Sequence, residues 1–211
     1  MSSLERRLFI VPLAAAALIF SCARGEKWPA LLHPVPPEAA QYALDRGAQL
    51  FLGPGFKVWV RPLDWKLVGR RYRAAAMPLP YGEDEAALSF FVFFSVRLEN
   101  TSEEKLFFNP RRVSAFAGSV APRAPLEISD IYRVNAGDAD VEARARSFRD
   151  TSFDGNVTVD QGEAVEKYLV FLPPRGKFRT VEVVVDDLYL GSTAFDLTFA
   201  FEAFPGGAED R

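Results

Sequence analysis

The sequence predicts an all-β chain that folds as an antiparallel β-sandwich with one or two short helices. Phenylalanine is the compositional outlier, at 19 of 211 residues, and with the valine and leucine runs it favours strands over helices. Beyond residue 49 the apolar residues recur with a period of two, in roughly seven to ten short stretches separated by turn residues. Long Ala/Leu/Glu/Lys helical stretches are missing from that region.

The N-terminus reads as a targeting helix. Arg6 and Arg7 precede the apolar run from Leu8 to Phe20, and Ser21-Cys22 follows it. A positive n-region, an apolar h-region and small residues at the cut are the parts of a secretory signal. The Ile19-Phe20-Ser21-Cys22 ending resembles a bacterial lipoprotein signal peptide, although Phe20 is larger than usual at its place. On that reading residues 1–21 are removed and Cys22 takes the lipid. Two other readings stay open: cleavage after Ala23, releasing a soluble protein, or retention as an anchor. A spanning helix wants about 20 apolar residues, and Arg24 closes this run early. Cys22 is the chain's one cysteine; acylation accounts for an odd thiol in an exported chain.

Residues 22–37 form the expected tether, since Pro29, Pro34, Pro36 and Pro37 favour extended chain. The sandwich is expected over residues 38–204, with a frayed tail at 205–211. Within it, Glu38 to Arg46 is a helix candidate stopped by Gly47. Phe56, Val58 and Val60 alternate with Lys57, Trp59 and Arg61, and Trp65 to Arg73 is expected as a second strand. Residues 77–85 form a loop. From Leu88 to Glu99 the even positions are all apolar, whereas the odd positions end with Ser95, Arg97 and Glu99. Strands follow at 105–109 and 113–116. Asp138 is placed to cap a short helix over residues 138–149, with Arg144, Arg146 and Arg149 on its exposed face. Four more strands are expected at 157–159, 164–172, 179–185 and 194–202, with Asp186-Asp187 in a solvated turn.

The segment from Val96 through Asn100-Thr101-Ser102-Glu103 to Leu106, with the later Gly162-Glu163 turn leading into Tyr168-Leu169-Val170-Phe171, resembles bacterial immunoglobulin-like lipoprotein domains. The resemblance covers about residues 88–202. It implies an immunoglobulin-like sandwich and a binding or assembly role, and it carries no catalytic residue.

Chemistry is narrowed by what the chain lacks. Removing residues 1–21 takes away Glu5, Arg6 and Arg7, which turns the formal net charge of −3 into −4. Such a balance gives no electrostatic footprint for nucleic acid. The one histidine, His33, falls in the expected tether, so a histidine base held beside a nucleophile is not expected. Zinc and copper sites draw on His and Cys, and neither a metal nor a cofactor is expected. Asp138, Asp140 and Glu142 could offer oxygens to Ca²⁺, but their placement suits a helix N-terminus better.

The aromatic residues Trp59, Phe91 and Phe93 are the leading candidates for a binding surface. Phe91 and Phe93 stand on the nominally outward face of the 88–99 strand. Either another element covers that face, or it is an apolar patch for a protein partner or lipid. The sequence therefore points to a lipid-anchored, non-catalytic envelope protein. The resemblance to lipoproteins of the enteric type implies the outer membrane, since Ala23 and not Asp follows Cys22, with an inner-membrane anchor or a soluble periplasmic protein as alternatives. Its partners would be the membrane, through acylated Cys22, and another envelope protein. The rival readings are a module for a small apolar ligand or glycan, and a carboxylate-based hydrolase. The sequence does not specify an oligomeric state.

Overall fold

The computed structural model describes residues 31–204, apart from residue 83, residues 119–120 and residues 174–177. The expected signal peptide, Cys22 and the tail at 205–211 lie outside the described residues. In chain order the elements are β1 (Leu31–Pro34), β2 (Tyr42–Asp45), β3 (Ala48–Gly53), β4 (Phe56–Leu63), α1 (Trp65–Ala74), β5 (Val92–Asn100), β6 (Leu106–Phe108), β7 (Val113–Ala117), α2 (Ile128–Val134), α3 (Val141–Thr151), β8 (Val157–Val159), β9 (Ala164–Phe171), β10 (Thr180–Leu190) and β11 (Thr193–Phe204). Short 3-10 turns occupy Glu85–Phe90 and Pro110–Arg112.

Two antiparallel sheets pack face to face. One has the order β2-β3-β4-β5-β9, and the other runs β1-β11-β10-β6-β8, with β7 also pairing with β10. The alternation in β5 builds the space between them, because residues of one parity share a face. Val92, Phe94, Val96 and Leu98 point inward with Phe199 and Phe201 of β11 and Val181, Val183 and Val185 of β10. The Phe94 and Phe201 rings lie 5.1 Å apart.

A third layer follows from the other face of β5. Phe91 and Phe93 are apolar and stand on the opposite side, and exposing such a pair would cost about 1.5–3 kcal/mol per ring. The helices cover them. Val68 and Tyr72 of α1, Ile131 of α2, and Ala145 and Phe148 of α3 make a second core with Phe91, Phe93, Tyr81 and Val170. Tyr81 wedges between sheet and helices, 4.5 Å from Phe91 and 6.2 Å from Phe148. Burial pushes the phenols of Tyr72 and Tyr81 well above their ordinary pKa.

Polar side chains lock both cores. Arg144 of α3, only 5% exposed, donates from Nε to Asp138 at 2.6 Å and from Nη1 to the carbonyls of Leu79 (2.7 Å) and Gly82 (2.6 Å). Ser147 donates to the Pro78 carbonyl at 2.7 Å, and Asn135 to that of Pro80 at 2.8 Å. A loop whose prolines lack N–H donors is thus held through its carbonyls. At the other end of the sandwich Asn100 is fully buried. Its Nδ2 donates to Glu104 and Val159 carbonyls at 2.7 and 2.9 Å, and its Oδ1 accepts from the Ser102 N–H and hydroxyl. Its backbone exchanges hydrogen bonds with Glu163 and Gly162.

Several expectations are corrected. Residues 31–34, assigned to the tether, form β1 and pair with residues 201–204, because β11 extends far enough to template them. Residues 38–46 are not a helix: Tyr42 and Phe51 pair across β2 and β3, and Tyr42 packs on Phe199. Residues 65–73 form α1 rather than a strand. Asp64 caps it through the Lys66 N–H, and Trp65, Val68 and Tyr72 fall on one helical face. Residues 85–90 are a 3-10 turn, so Phe90 leaves the core face expected for it and is 61% exposed. Arg144 is buried instead of exposed, and the helix starts at Val141, after the Asp140 cap. Asp187 sits inside β10 at a bulge, with φ 55°, and pairs with Arg112. Helix α2 is the third α-helix among the described residues of a domain expected to hold one or two; its 7 residues are too short for their 3–4 spacing to stand out.

Arg144→Ala is expected to lower the unfolding free energy by about 2–4 kcal/mol, since two loop carbonyls lose their donors. Chemical denaturation of the variant against the parent checks this. A change below about 0.5 kcal/mol would show that the loop does not depend on Arg144.

Candidate binding face

The helices leave the other half of the same sheet face uncovered, and Trp59 stands there. Within β4 it shares the outer face with Lys57 and Arg61, as the strand period requires. Across the sheet it lies opposite Leu50 of β3 and Arg97 of β5, while Lys57 lies opposite Leu52 and Glu99. The indole Nε1 donates to Asp45 Oδ2 at 2.9 Å. Arg97 and Lys57 lie over the ring, 5.3 and 5.8 Å from its centroid. Each such cation–π contact contributes about 0.5–1 kcal/mol at an exposed site.

Glu99 closes this group. One carboxylate oxygen accepts from Lys57 Nζ and the other from Arg97 Nη2, both at 3.0 Å. The Lys57 hydrogen bond first, and Arg97 beside it, hold the Glu99 carboxyl below its ordinary range. Beyond Arg97, the Ser95 hydroxyl donates to Glu166 of β9. The result is a half-buried indole tied to Asp45, with two cations that share Glu99 over its ring, Leu50 beside it and Leu52 exposed at the rim. An aromatic ring and an arginine held in place offer contact area at little ordering cost.

The sequence candidates separate here. Trp59 remains available on this face. Phe91 and Phe93 do not: both are buried in the second core, Phe93 at 1% exposure, so of the two readings of that face the helical cover holds and the apolar patch does not. Cys22 lies outside the described residues. His33 sits on β1 opposite Glu202. The alternation of residues 56–61 already put Lys57 beside Trp59. Arg97, Leu50 and Leu52 could not be assigned to the same place, because cross-strand register is a tertiary property.

Asp138 and Glu142, which could have offered oxygens to a cation, have structural partners. Asp138 accepts from the Asp140 N–H and from Arg144, which holds its carboxyl below the ordinary value, the backbone hydrogen bond first. Glu142 accepts from the Tyr132 hydroxyl at 3.1 Å. Among the described residues no group of three or more His, Cys, Asp or Glu side chains is placed to hold a metal, and no helix is long and apolar enough to cross a membrane. A recess between Phe94, Phe171 and Val181 measures about 10 Å³, room for about one water.

Because the folded-state pKa of Glu99 is depressed, its stabilising contribution is present above the unfolded value of 4.5 and is lost as the pH falls through the folded value. Glu99→Gln is therefore expected to be less stable than the parent at pH 7, with the gap closing as the pH falls below 4.5 and through the folded value. Parallel unfolding curves from pH 7 to 3 test this, and a gap that stays constant would count against the ion cluster.

No family model matches the chain, and no curated protein matches it. Two solved structures are similar. The yjhA protein from Bacillus subtilis is 12% identical over 71% of this chain and 93% of its own, with a TM-score of 0.38. A functionally unknown protein from Listeria monocytogenes EGD-e is 11% identical over 86% of this chain and 89% of its own, with a TM-score of 0.37.

Proposed function

We propose that this chain is a lipid-anchored, non-catalytic envelope protein whose immunoglobulin-like sandwich binds another envelope protein through the Trp59 face. The observation that carries the reading is the half-buried indole of Trp59, held by Asp45 and with Lys57 and Arg97 over its ring, on sheet surface that the helices leave open. An aromatic and arginine centre with a charged rim has the anatomy of a protein interface. Strand β2 is the open edge of that sheet, beside the face, so an extended segment of the partner can add to it while its side chains meet Trp59 and Leu50.

The rival readings have less support. A ligand held between the sheets needs space, and the two sheets fill theirs with interdigitated aromatic rings. A carboxylate-based hydrolase needs an acid with a raised pKa; Glu99 and Asp138 are shifted the opposite way. The immunoglobulin-like type is supported by the joining of its two sequence signatures, since Asn100 bonds directly to the Gly162-Glu163 turn.

Two experiments follow. A photo-crosslinking side chain at Leu52 is expected to trap one discrete protein partner in intact cells, with the yield reduced about tenfold or more by Trp59→Ala. The same probe at Thr198, on the opposite sheet, is the control. Identical adducts at both positions, or none at Leu52, would remove the interface. For the anchor, the parent chain is expected to incorporate labelled fatty acid and Cys22→Ser to incorporate none. Continued labelling of the variant would refute acylation at Cys22.

A further inference from the structure

We propose that the end of the sandwich bearing Phe90 and Leu172 is a second membrane contact, seated in the bilayer that holds the Cys22 lipid. This rests on the anchor reading above. Three observations place the surface.

The first is where the chain enters the domain. Pro34 pairs with Phe201, Phe201 with Val181, and Val181 with Ala117. Val181 and Ala117 border the same recess as Val92, Phe171 and Leu172, so these residues mark one end of both sheets. Leu31 pairs with Phe204 at that end and lies three residues further out than Pro34, about 10 Å along the strand. The polypeptide coming from Cys22 therefore joins the domain at the Phe90 and Leu172 end.

The second is reach. Only residues 23–30 separate Cys22 from β1. Nine Cα steps span at most about 30 Å, whereas the 12 residues of β11 run about 40 Å. The entry end is thus confined to within about 30 Å of the lipid anchor, near enough for its rim to reach the bilayer, while the opposite end lies about 40 Å further along β11.

The third is the character of the two ends. Phe90 is 61% and Leu172 47% exposed. They flank the paired residues Val92 and Phe171, which brings them together on one rim. Exposed Arg179 precedes β10 there and exposed Lys66 lies in the first turn of α1, just beyond Leu63, the partner of Phe93; exposed Glu202 and Asp84 stand at the same end. The opposite end carries Glu103, Glu104, Asp160 and Glu163, all exposed, with Lys105 paired to Asp160 at 3.2 Å. An apolar rim with mixed charge suits seating at the headgroup boundary, whereas the end bearing Glu103, Glu104, Asp160 and Glu163 is repelled by anionic lipid.

The test uses the full acylated chain reconstituted into vesicles of phosphatidylethanolamine with phosphatidylglycerol. Cys22 is the one cysteine, so after acylation an introduced cysteine is the sole free thiol. Phe90→Cys, Leu172→Cys and Glu103→Cys are each labelled with the fluorophore NBD. Burial of about 5–10 Å at the headgroup boundary predicts a rise in NBD emission of about twofold or more at positions 90 and 172, with quenching by doxyl-labelled lipid, and neither effect at 103. Unchanged emission at both 90 and 172 in a chain that carries labelled fatty acid would overturn the contact alone. A rise at 103 equal to the others would overturn it too. A chain that takes up no fatty acid would overturn the anchor and the contact with it. Near-UV circular dichroism of each variant verifies the fold, and either rim position suffices if the other disrupts it.

Discussion

Strand β5 is apolar on both faces over its first residues, and the architecture is organised around that constraint. Phe94, Val96 and Leu98 require a second sheet, while Phe93 with the preceding Phe91 requires a cover on the other side. A two-layer sandwich satisfies one face only. The helices inserted between β4 and β5, and between β7 and β8, supply the third layer. Where β5 becomes polar on its outer face, at Ser95, Arg97 and Glu99, the helices stop and the Trp59 surface begins. The boundary between structural cover and candidate binding face is thus written into one strand.

Two polar residues make this arrangement specific. Hydrophobic burial is non-directional, and it does not tell the 77–82 loop where to lie. Arg144 does, by collecting the carbonyls of Leu79 and Gly82 while Asp138 neutralises it. Asn100 performs the corresponding task at the far end. It joins the end of β5 to β8 and to the turns at 102–104 and 162–163, with both lone-pair and donor capacity used. Gly55 belongs to the same join: its carbonyl accepts from Thr101, its φ is +87°, and a Cβ there would meet Ser102 at 2.7 Å.

Strands with a clean alternation were legible from the residues alone. The inward set of β11, Phe195, Leu197, Phe199 and Phe201, is a case, as are Phe56, Val58 and Val60 of β4. The failures have one physical origin. Trp65 to Arg73 mixes apolar and basic residues in an order that fits two periods, and only the Asp64 cap and the neighbouring core choose the helix. Arg144 resembles a solvated helix charge until the loop that buries it is in place. Phe91 and Phe93 read equally well as surface or core, since an aromatic pair on a strand face carries no mark of what lies over it. Of the Trp59 site, the strand period supplies Lys57, but the register that adds Arg97, Leu50 and Leu52 joins segments up to about 40 residues apart.

By itself the sequence determined a strand-dominated sandwich, the alternating inner faces of its long strands, and the cysteine on which the anchor reading rests. These depend on composition and on periodicities of two, which are local. The tertiary structure alone decided that the sheet has a helical cover, that Arg144 is interior, and that Trp59 stays accessible while Phe91 and Phe93 do not. It also decided that β1 begins at the same end of the sandwich as Phe90 and Leu172. Each of these depends on which distant segments pack together, and burial, unlike period, belongs to the assembled fold.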